Sequence, residues 1–383
     1  MPDPRDTMGR SARQVLVWLP SPMGDAILCT PALRAIREHF ADAHIFLLGT
    51  PLIRSILSPS PFADSWLQQG IKNPFAIARN LREHEFTHAI LLTNSFVSAL
   101  ATFLARIGVR IGYARGGRGF LLTERLHPPR VAEADAEPGR SVRRMAATAK
   151  GFGQALRNRF NPHSMVDYYL ALAARSGGST RNRKLELSVG EDARRQLAQK
   201  LPALQEASGP VVILVPGGAF GPSKCWLPQR FAETADRLVE QYGATVVVSV
   251  AANEAERRIG RQICQAARHP LLNLGEHPLD LGQLKALFAR ADLVITNDTG
   301  PRHIAISLGR RVVTLFGPND PAWTDTGYEH ETWVVADVEC APCARPRCPK
   351  PEHICMKAIT VDSVYEAAAG HLDVASKRIT LNG

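Results

Sequence analysis

Apolar positions in the first half of the chain gather into short unbroken runs, Val15–Leu19, Ile45–Leu48 and Ala89–Leu92. Between the first two, Ala26, Ile27, Leu33, Ile36 and Phe40 return at helical spacing. Unpunctuated apolar strands alternating with helices predict a parallel sheet covered on both faces. After a polar stretch, Gly177-Gly178-Ser179-Thr180 followed by Arg181-Asn182-Arg183-Lys184, the rhythm restarts. There the pattern predicts strands at Val211–Val215, Thr245–Val250, Leu293–Thr296 and Val312–Phe316. Helices are predicted over Gln229–Tyr242, Glu254–Ala267, Leu281–Ala289 and Pro301–Leu308. Both halves open alike, with a buried strand, a Pro/Gly loop and a helix. The predicted fold class is therefore α/β, with two Rossmann-like, doubly wound domains facing each other across a central cleft. The expected domains are 1–180 and 181–360, and ligands are expected outside the carboxyl ends of the strands.

Length and composition narrow this further. The 383 residues fit two to three domains, and 45% hydrophobic with 21% charged residues excludes wholesale disorder and fibrous repeats. The uncharged run Ala89–Ala105 is broken by Thr93, Asn94 and Ser95, so it reads as a strand, a turn and a helix, not a membrane span. The first residues show no apolar signal-peptide core. Seven cysteines is an odd number, which suits a reducing compartment better than a disulfide framework. The expectation is a soluble, cytoplasmic protein.

A net charge of +10 points to an anionic partner. Basic residues concentrate between Arg106 and Arg159, where Arg115, Arg118, Arg143 and Arg144 are among them. This stretch reads either as a solvated excursion or as a landing surface for an anionic acceptor or membrane face.

Four loops could carry chemistry. In Pro20-Ser21-Pro22-Met23-Gly24-Asp25, Asp25 reads either as an ordinary helix N-cap or as a carboxylate able to take a proton from a hydroxyl. The loop Pro216-Gly217-Gly218-Ala219-Phe220-Gly221-Pro222-Ser223-Lys224 lacks both the Walker A spacing and G-x-G-x-x-G. Its backbone N–H groups and one lysine suit a diphosphate, although a plain structural loop competes. At Asn297-Asp298-Thr299-Gly300-Pro301-Arg302-His303, a helix N-terminus is expected with Thr299 or Gly300 as cap, a ready anion site. Phe316-Gly317-Pro318-Asn319 by itself is a turn.

Together, Gly24-Asp25-Ala26-Ile27-Leu28, Lys224-Cys225-Trp226, Asn297-Asp298-Thr299-Gly300 with His303, and Phe316-Gly317-Pro318 resemble glycosyltransferase family 9, the ADP-heptose:lipopolysaccharide heptosyltransferases. The resemblance runs from about Val15 to Leu372. It implies a GT-B fold in which the second domain binds the nucleotide sugar and the first binds the acceptor. It also implies a last helix, about 361–372, packing back on the first domain.

The same resemblance implies inverting transfer of heptose from an ADP-sugar to the lipopolysaccharide inner core, with no cofactor or metal required. Asp25 would be the general base, and Lys224 would stabilise the departing ADP. Gly217, Gly218, Ala219, Phe220, Asp298, Thr299, Gly300 and His303 would surround the donor. Glu254 would hold the ribose, with Glu256 as the other register. Arg115, Arg118, Arg143 and Arg144 would meet a lipid-linked phosphorylated oligosaccharide, in peripheral contact with an anionic membrane at the cytoplasmic face of the inner membrane. Alternatives are another nucleotide sugar, or a non-catalytic nucleotide- or nucleic-acid-binding protein. No nucleic-acid motif supports the last, so no nucleic-acid partner is expected. Cys340, Cys343, Cys348 and Cys355 form C-x2-C-x4-C-x6-C within 16 positions. They are open to three readings: a structural zinc site, free thiols or redox-labile pairs.

Overall fold

The computed structural model describes residues 13–68, 70, 73–128, 163–218, 220–350 and 352–380, with side chains to 374. The chain divides into two compact units. One takes in 13–54, Ser60–Pro128 and Val166–Arg183; the other takes in Ser55–Pro59, residues 163–165 and the described residues from Lys184 onward.

The first unit is built on a six-stranded sheet of β1 (Gln14–Trp18), β2 (His44–Gly49), β3 (Ser65–Gln68), β4 (His88–Leu91), β5 (Val109–Tyr113) and β6 (Glu124–Leu126). Their order is β3-β2-β1-β4-β5-β6, and every pairing is parallel. Val15, Leu16 and Val17 are wholly buried because β1 is central and covered on both faces. Helices α1 (Met23–Leu28) and α2 (Thr30–His39) follow β1, α4 (Pro74–Arg82) precedes β4, and α5 (Phe96–Leu104) follows it. Helix α3 is Pro51–Leu57 and α6 is Met165–Arg175.

The second sheet repeats the plan. Its strands are β7 (Val211–Val215), β8 (Thr245–Val248), β9 (Leu272–Asn273), β10 (Leu293–Asn297), β11 (Arg311–Phe316) and β12 (Glu331–Val335). Their order, β12-β11-β10-β7-β8-β9, is again all parallel. Helices α7 (Glu191–Lys200), α8 (Pro228–Tyr242), α9 (Glu254–Ala266), α10 (Leu281–Arg290) and α11 (Gly300–Ser307) flank it. Helix α8 buries Phe231, Ala232, Ala235 and Leu238, and Gly243 ends it in the left-handed conformation a C-terminal glycine adopts readily. A reciprocal Asp280–Gln283 capping box starts α10.

Both sheets thus have the 3-2-1-4-5-6 order of a Rossmann-like domain. The order reverses between β1 and β4 in one and between β7 and β10 in the other, which is where such sheets bind ligands. Three of the four loops singled out by sequence follow β1, β7 and β10, and the fourth is the turn after β11.

Five strands lie outside the predicted set, and two expectations about the fold need correction. Strands β3, β5, β6, β9 and β12 are not signalled by unbroken apolar runs, because edge and polar strands alternate or are short. The front of the basic stretch is not a solvated excursion: it forms β5 and β6, with Arg110 Nε donating to Leu121 O at 2.7 Å. The last helix, α13 (Val361–Thr380), packs on the second unit. Val361, Val364, Ala368 and Leu372 belong to that unit's core. Asp362 pairs with Arg237 at 2.7 Å, and Asp373 accepts from Tyr242 at 2.9 Å, both on α8.

Candidate active site

In the second unit, register sets the neighbours. Val215 lies opposite Thr296, so the loops leaving β7 and β10 run side by side. Asn297 ties them together, its Nδ2 donating to Pro216 O at 2.7 Å and to Gly217 O at 3.2 Å. A Cβ added at Gly218 would meet Thr299 at 3.5 Å and Lys224 at 3.7 Å. The Gly-rich loop, the lysine and the start of α11 therefore come to one place.

Asp298 is the hub. Its Oδ2 is 2.8 Å from Lys224 Nζ and accepts from Asn319 Nδ2 at 3.1 Å. Its Oδ1 lies 3.4 Å from Arg302 and accepts from Thr324 Oγ1 at 3.2 Å. Arg302, fully buried, is also gripped by both oxygens of Glu331, at 2.6 and 2.9 Å. Burial would raise the Asp298 pKa, yet Lys224 and Arg302 hold it well below the usual carboxylate range. Burial and the adjacent Arg302 push His303 down to about 3, so its imidazole is neutral.

Thr299 is the N-cap of α11 but makes no side-chain cap hydrogen bond. Its Oγ1, with Asn297 Oδ1, His303 Nδ1 and Asn319 Oδ1, is buried without a partner. Each such atom costs about 1–3 kcal/mol unless something completes it. Thr299 Oγ1 and His303 Nδ1 can donate to an anion beside the helix N-terminus and the lysine, whereas the amide oxygens of Asn297 and Asn319 accept and would need a ligand hydroxyl or N–H. Asn319, Thr324 and Glu331 were not expected from sequence. Only the Phe316-Gly317-Pro318-Asn319 turn, at the carboxyl end of β11, could have signalled the first.

Of the two glutamates at the start of α9, the structure favours Glu256. Its carboxylate accepts from Ala251 N at 2.8 Å and lies against Gly217, where an added Cβ would be 2.2 Å from Oε2. Glu254 instead turns to Arg261 on the exposed face, at 2.5 Å, which corrects its expected place at the donor loop. Phe220 is exposed, and Lys224 Nζ stands 4.9 Å from its ring centre. Ala219 lies outside the described residues.

In the first unit, Pro22 is the N-cap of α1 and Asp25 sits inside the first turn, so the capping reading of Asp25 fails. Its carboxylate is partly buried and hydrogen-bonded to Tyr169 of α6; burial raises its pKa, and the tyrosine only partly offsets this. Nothing in the local sequence links residues 25 and 169. Arg118 is fully buried and does not present itself to an acceptor. It donates to Tyr113 O (2.9 Å), Thr93 O (2.7 Å), Ser95 O (3.1 Å) and Asn94 Oδ1 (3.2 Å), as a structural tie. Arg115 is exposed and engages Tyr168. Arg143 and Arg144 lie outside the described residues.

Cys340, Cys343 and Cys348 are partly buried, Cys355 is buried, and none of the four is in a disulfide. Among the described residues, no group of three or more His, Cys, Asp or Glu is arranged to hold a metal ion. No described helix is long and apolar enough to cross a membrane.

Two Rossmann-like units, with a Gly-rich loop, a buried lysine and an open helix N-terminus at one switch point of the second, form a class of site that suits an anionic, phosphate-bearing ligand. The family model of glycosyltransferase family 9 (heptosyltransferase) matches residues 75–135 and 143–353. The chain belongs to that family and is a glycosyltransferase. Lipopolysaccharide heptosyltransferase 2 of Salmonella typhimurium is 28% identical over 329 residues, which cover 81% of this chain and 84% of that protein. Among solved structures, a family 9 glycosyltransferase from Veillonella parvula superposes with a TM-score of 0.74 at 20% identity, covering 94% of this chain and 97% of that one. The E. coli ADP-heptose LPS heptosyltransferase II gives 0.71 at 24% identity, covering 95% and 99%. These likenesses agree with the expected fold of two Rossmann-like domains.

Proposed function

We propose that the protein transfers heptose, with inversion, from ADP-heptose to the lipopolysaccharide inner core. The observation that carries this is the buried Lys224–Asp298–Arg302 cluster beside Gly217, Gly218 and the start of α11, with four unpartnered polar atoms around it. Its curated relatives named as lipopolysaccharide heptosyltransferases support the choice of sugar and acceptor.

In this reading the donor diphosphate lies against the Gly217–Gly218 backbone and the N–H groups that open α11. Lys224 offsets the charge that grows on ADP as it leaves. Asp298 touches no phosphate, because two anions would repel; it holds Lys224 and Arg302 in place. Preorganised charge of this kind needs no reorganisation as the bond breaks. Asp25 takes the proton of the acceptor hydroxyl as that oxygen attacks the anomeric carbon from the opposite face. Its raised pKa makes it a stronger base than an exposed aspartate, and Tyr169 orients it. Thr299 and neutral His303 complete hydroxyl or phosphate contacts of the donor. Arg115 serves the anionic acceptor, and the protein works from the cytoplasmic face of the inner membrane.

The test is incubation with a panel of ADP-, UDP- and GDP-sugars and truncated lipid acceptors, read by mass spectrometry. A heptose increment from ADP-heptose alone is expected. Transfer of a different sugar, or none with any donor, would overturn the reading.

A further inference from the structure

Ser223, the residue before Lys224, is buried, and each of its polar groups is held by one stretch of chain. Its N–H donates to Pro346 O at 3.2 Å and its hydroxyl to Arg345 O at 2.6 Å. Its carbonyl accepts from His353 Nε2 at 2.6 Å. A carbonyl only accepts, so Nε2 carries the proton. On the far side of Lys224, Trp226 Nε1 donates to Ile359 O at 3.0 Å. Gly221 has φ +147°, and a Cβ there would lie 2.3 Å from Pro346 O, so the two loops touch backbone to backbone.

Lys224 is therefore fixed at its tip by Asp298, and its neighbours Ser223 and Trp226 are held by Arg345, Pro346, His353 and Ile359. The His353 contact is the only one of the three to Ser223 made by a side chain. It acts on the peptide that joins Ser223 to Lys224. Because that peptide is planar, fixing its oxygen also fixes the nitrogen and Cα of Lys224. His353 itself is a non-glycine residue at φ 47°, ψ 52°, and makes no side-chain cap hydrogen bond although it is the N-cap of α12 (Ile354–Ala358). Such backbone persists where the surroundings over-determine it, and it clusters at functional sites. Here it delivers the imidazole to the Ser223 carbonyl.

We propose that His353 is a positioning residue for Lys224, setting the place of the ammonium through the Ser223 carbonyl. This rests on the reading of Lys224 as the group that stabilises departing ADP. A displaced ammonium meets the leaving group poorly, and misplacement by about 1 Å costs roughly 100-fold in rate.

The experiment compares kcat and KM for ADP-heptose in His353→Ala and His353→Gln, each in the native and Lys224→Ala backgrounds, with thermal unfolding of all variants. In the native background, His353→Ala should lose roughly 10- to 100-fold in kcat/KM. His353→Gln, whose amide N–H reaches the same carbonyl, should recover most of it. In the Lys224→Ala background, His353→Ala should cost nothing further.

A native-like rate for His353→Ala, or a loss of equal size on top of Lys224→Ala, would overturn the His353 proposal alone. Lys224→Ala at the native rate would overturn the Lys224 reading, and this proposal with it. If His353→Ala does not fold, His353→Gln decides: a rate near native supports the proposal, and a tenfold loss overturns it.

Discussion

The ammonium of Lys224 lies 2.8 Å from Asp298 Oδ2 and an equal 2.8 Å from the main-chain carbonyl of the same residue. One residue thus holds the lysine by charge and by backbone. The carboxylate also reaches Arg302, which Glu331 holds as well, so Lys224 is the cation that depends on Asp298 for its counter-charge.

Removing that anion should be costly. Asp298→Asn leaves Lys224 without its anionic partner, while Glu331 still pairs with Arg302, and breaking a buried ion pair this way costs about 3–5 kcal/mol. Thermal unfolding at neutral pH should show a clearly lowered midpoint. Because the folded pKa of Asp298 is depressed, its contribution is complete above the ordinary value of 3.8 and is lost as pH falls below it. The gap between native and variant midpoints should therefore narrow on acidification below that value. A gap independent of pH would refute the pairing.

Lys224→Ala should lower kcat by roughly 10²–10³, the range for losing one preorganised donor at developing charge. Steady-state kinetics with saturating donor would measure it, and an unchanged kcat would show the lysine to be a structural partner of Asp298 only.

For Asp25, substitution by Ala should abolish transfer, a loss of about 10²–10⁴ for a general base, with ADP-sugar binding nearly intact by calorimetry. The Tyr169 hydrogen bond favours the charged carboxylate. Tyr169→Phe should raise the Asp25 pKa further and move the acid limb of the pH–rate profile to higher pH. A limb that stays put, or moves down, would remove Asp25 from the role of base.

The two glutamates of α9 should separate cleanly. Glu256→Ala, and Gly217→Ala, whose new methyl would displace Glu256, should raise the donor KM several-fold. Glu254→Ala removes only an exposed pair with Arg261 and should leave KM unchanged. The reverse pattern in donor titrations would restore Glu254.

Arg118→Ala should act on stability, leaving the acceptors on Thr93, Asn94, Ser95 and the buried Tyr113 without this donor. Burial lowers its pKa to about 10, so the guanidinium is still charged at neutral pH. A drop of several degrees in unfolding midpoint is expected, whereas Arg115→Ala should leave the midpoint within experimental scatter. Equal midpoints for both variants would contradict the buried tie.

Legibility in the sequence followed the range of the interactions involved. Central strands such as Val15–Leu19 and Val211–Val215 announce themselves because burial on both faces requires continuous apolar residues. Strand β12, Glu331–Val335, carries a charge inward to Arg302 and so reads as polar. The loop residues Gly217, Gly218, Asp298, Thr299 and Lys224 were visible through local turn and cap chemistry. Arg118 misled, because composition cannot tell a guanidinium on the surface from one folded inward onto carbonyls.

The amino-acid sequence alone determined the two α/β halves, the strand-to-helix loops at their switch points and the kind of ligand those loops suit. These depend on neighbours a few residues apart, through helical and strand periodicity and the chemistry of glycine and helix ends. Tertiary structure alone decided which groups meet there: Lys224 with Asp298, 74 positions away, Tyr169 with Asp25, His353 with Ser223, and Glu256 rather than Glu254 at Gly217. Pairings across such distances follow from strand order and packing, and no local pattern encodes them.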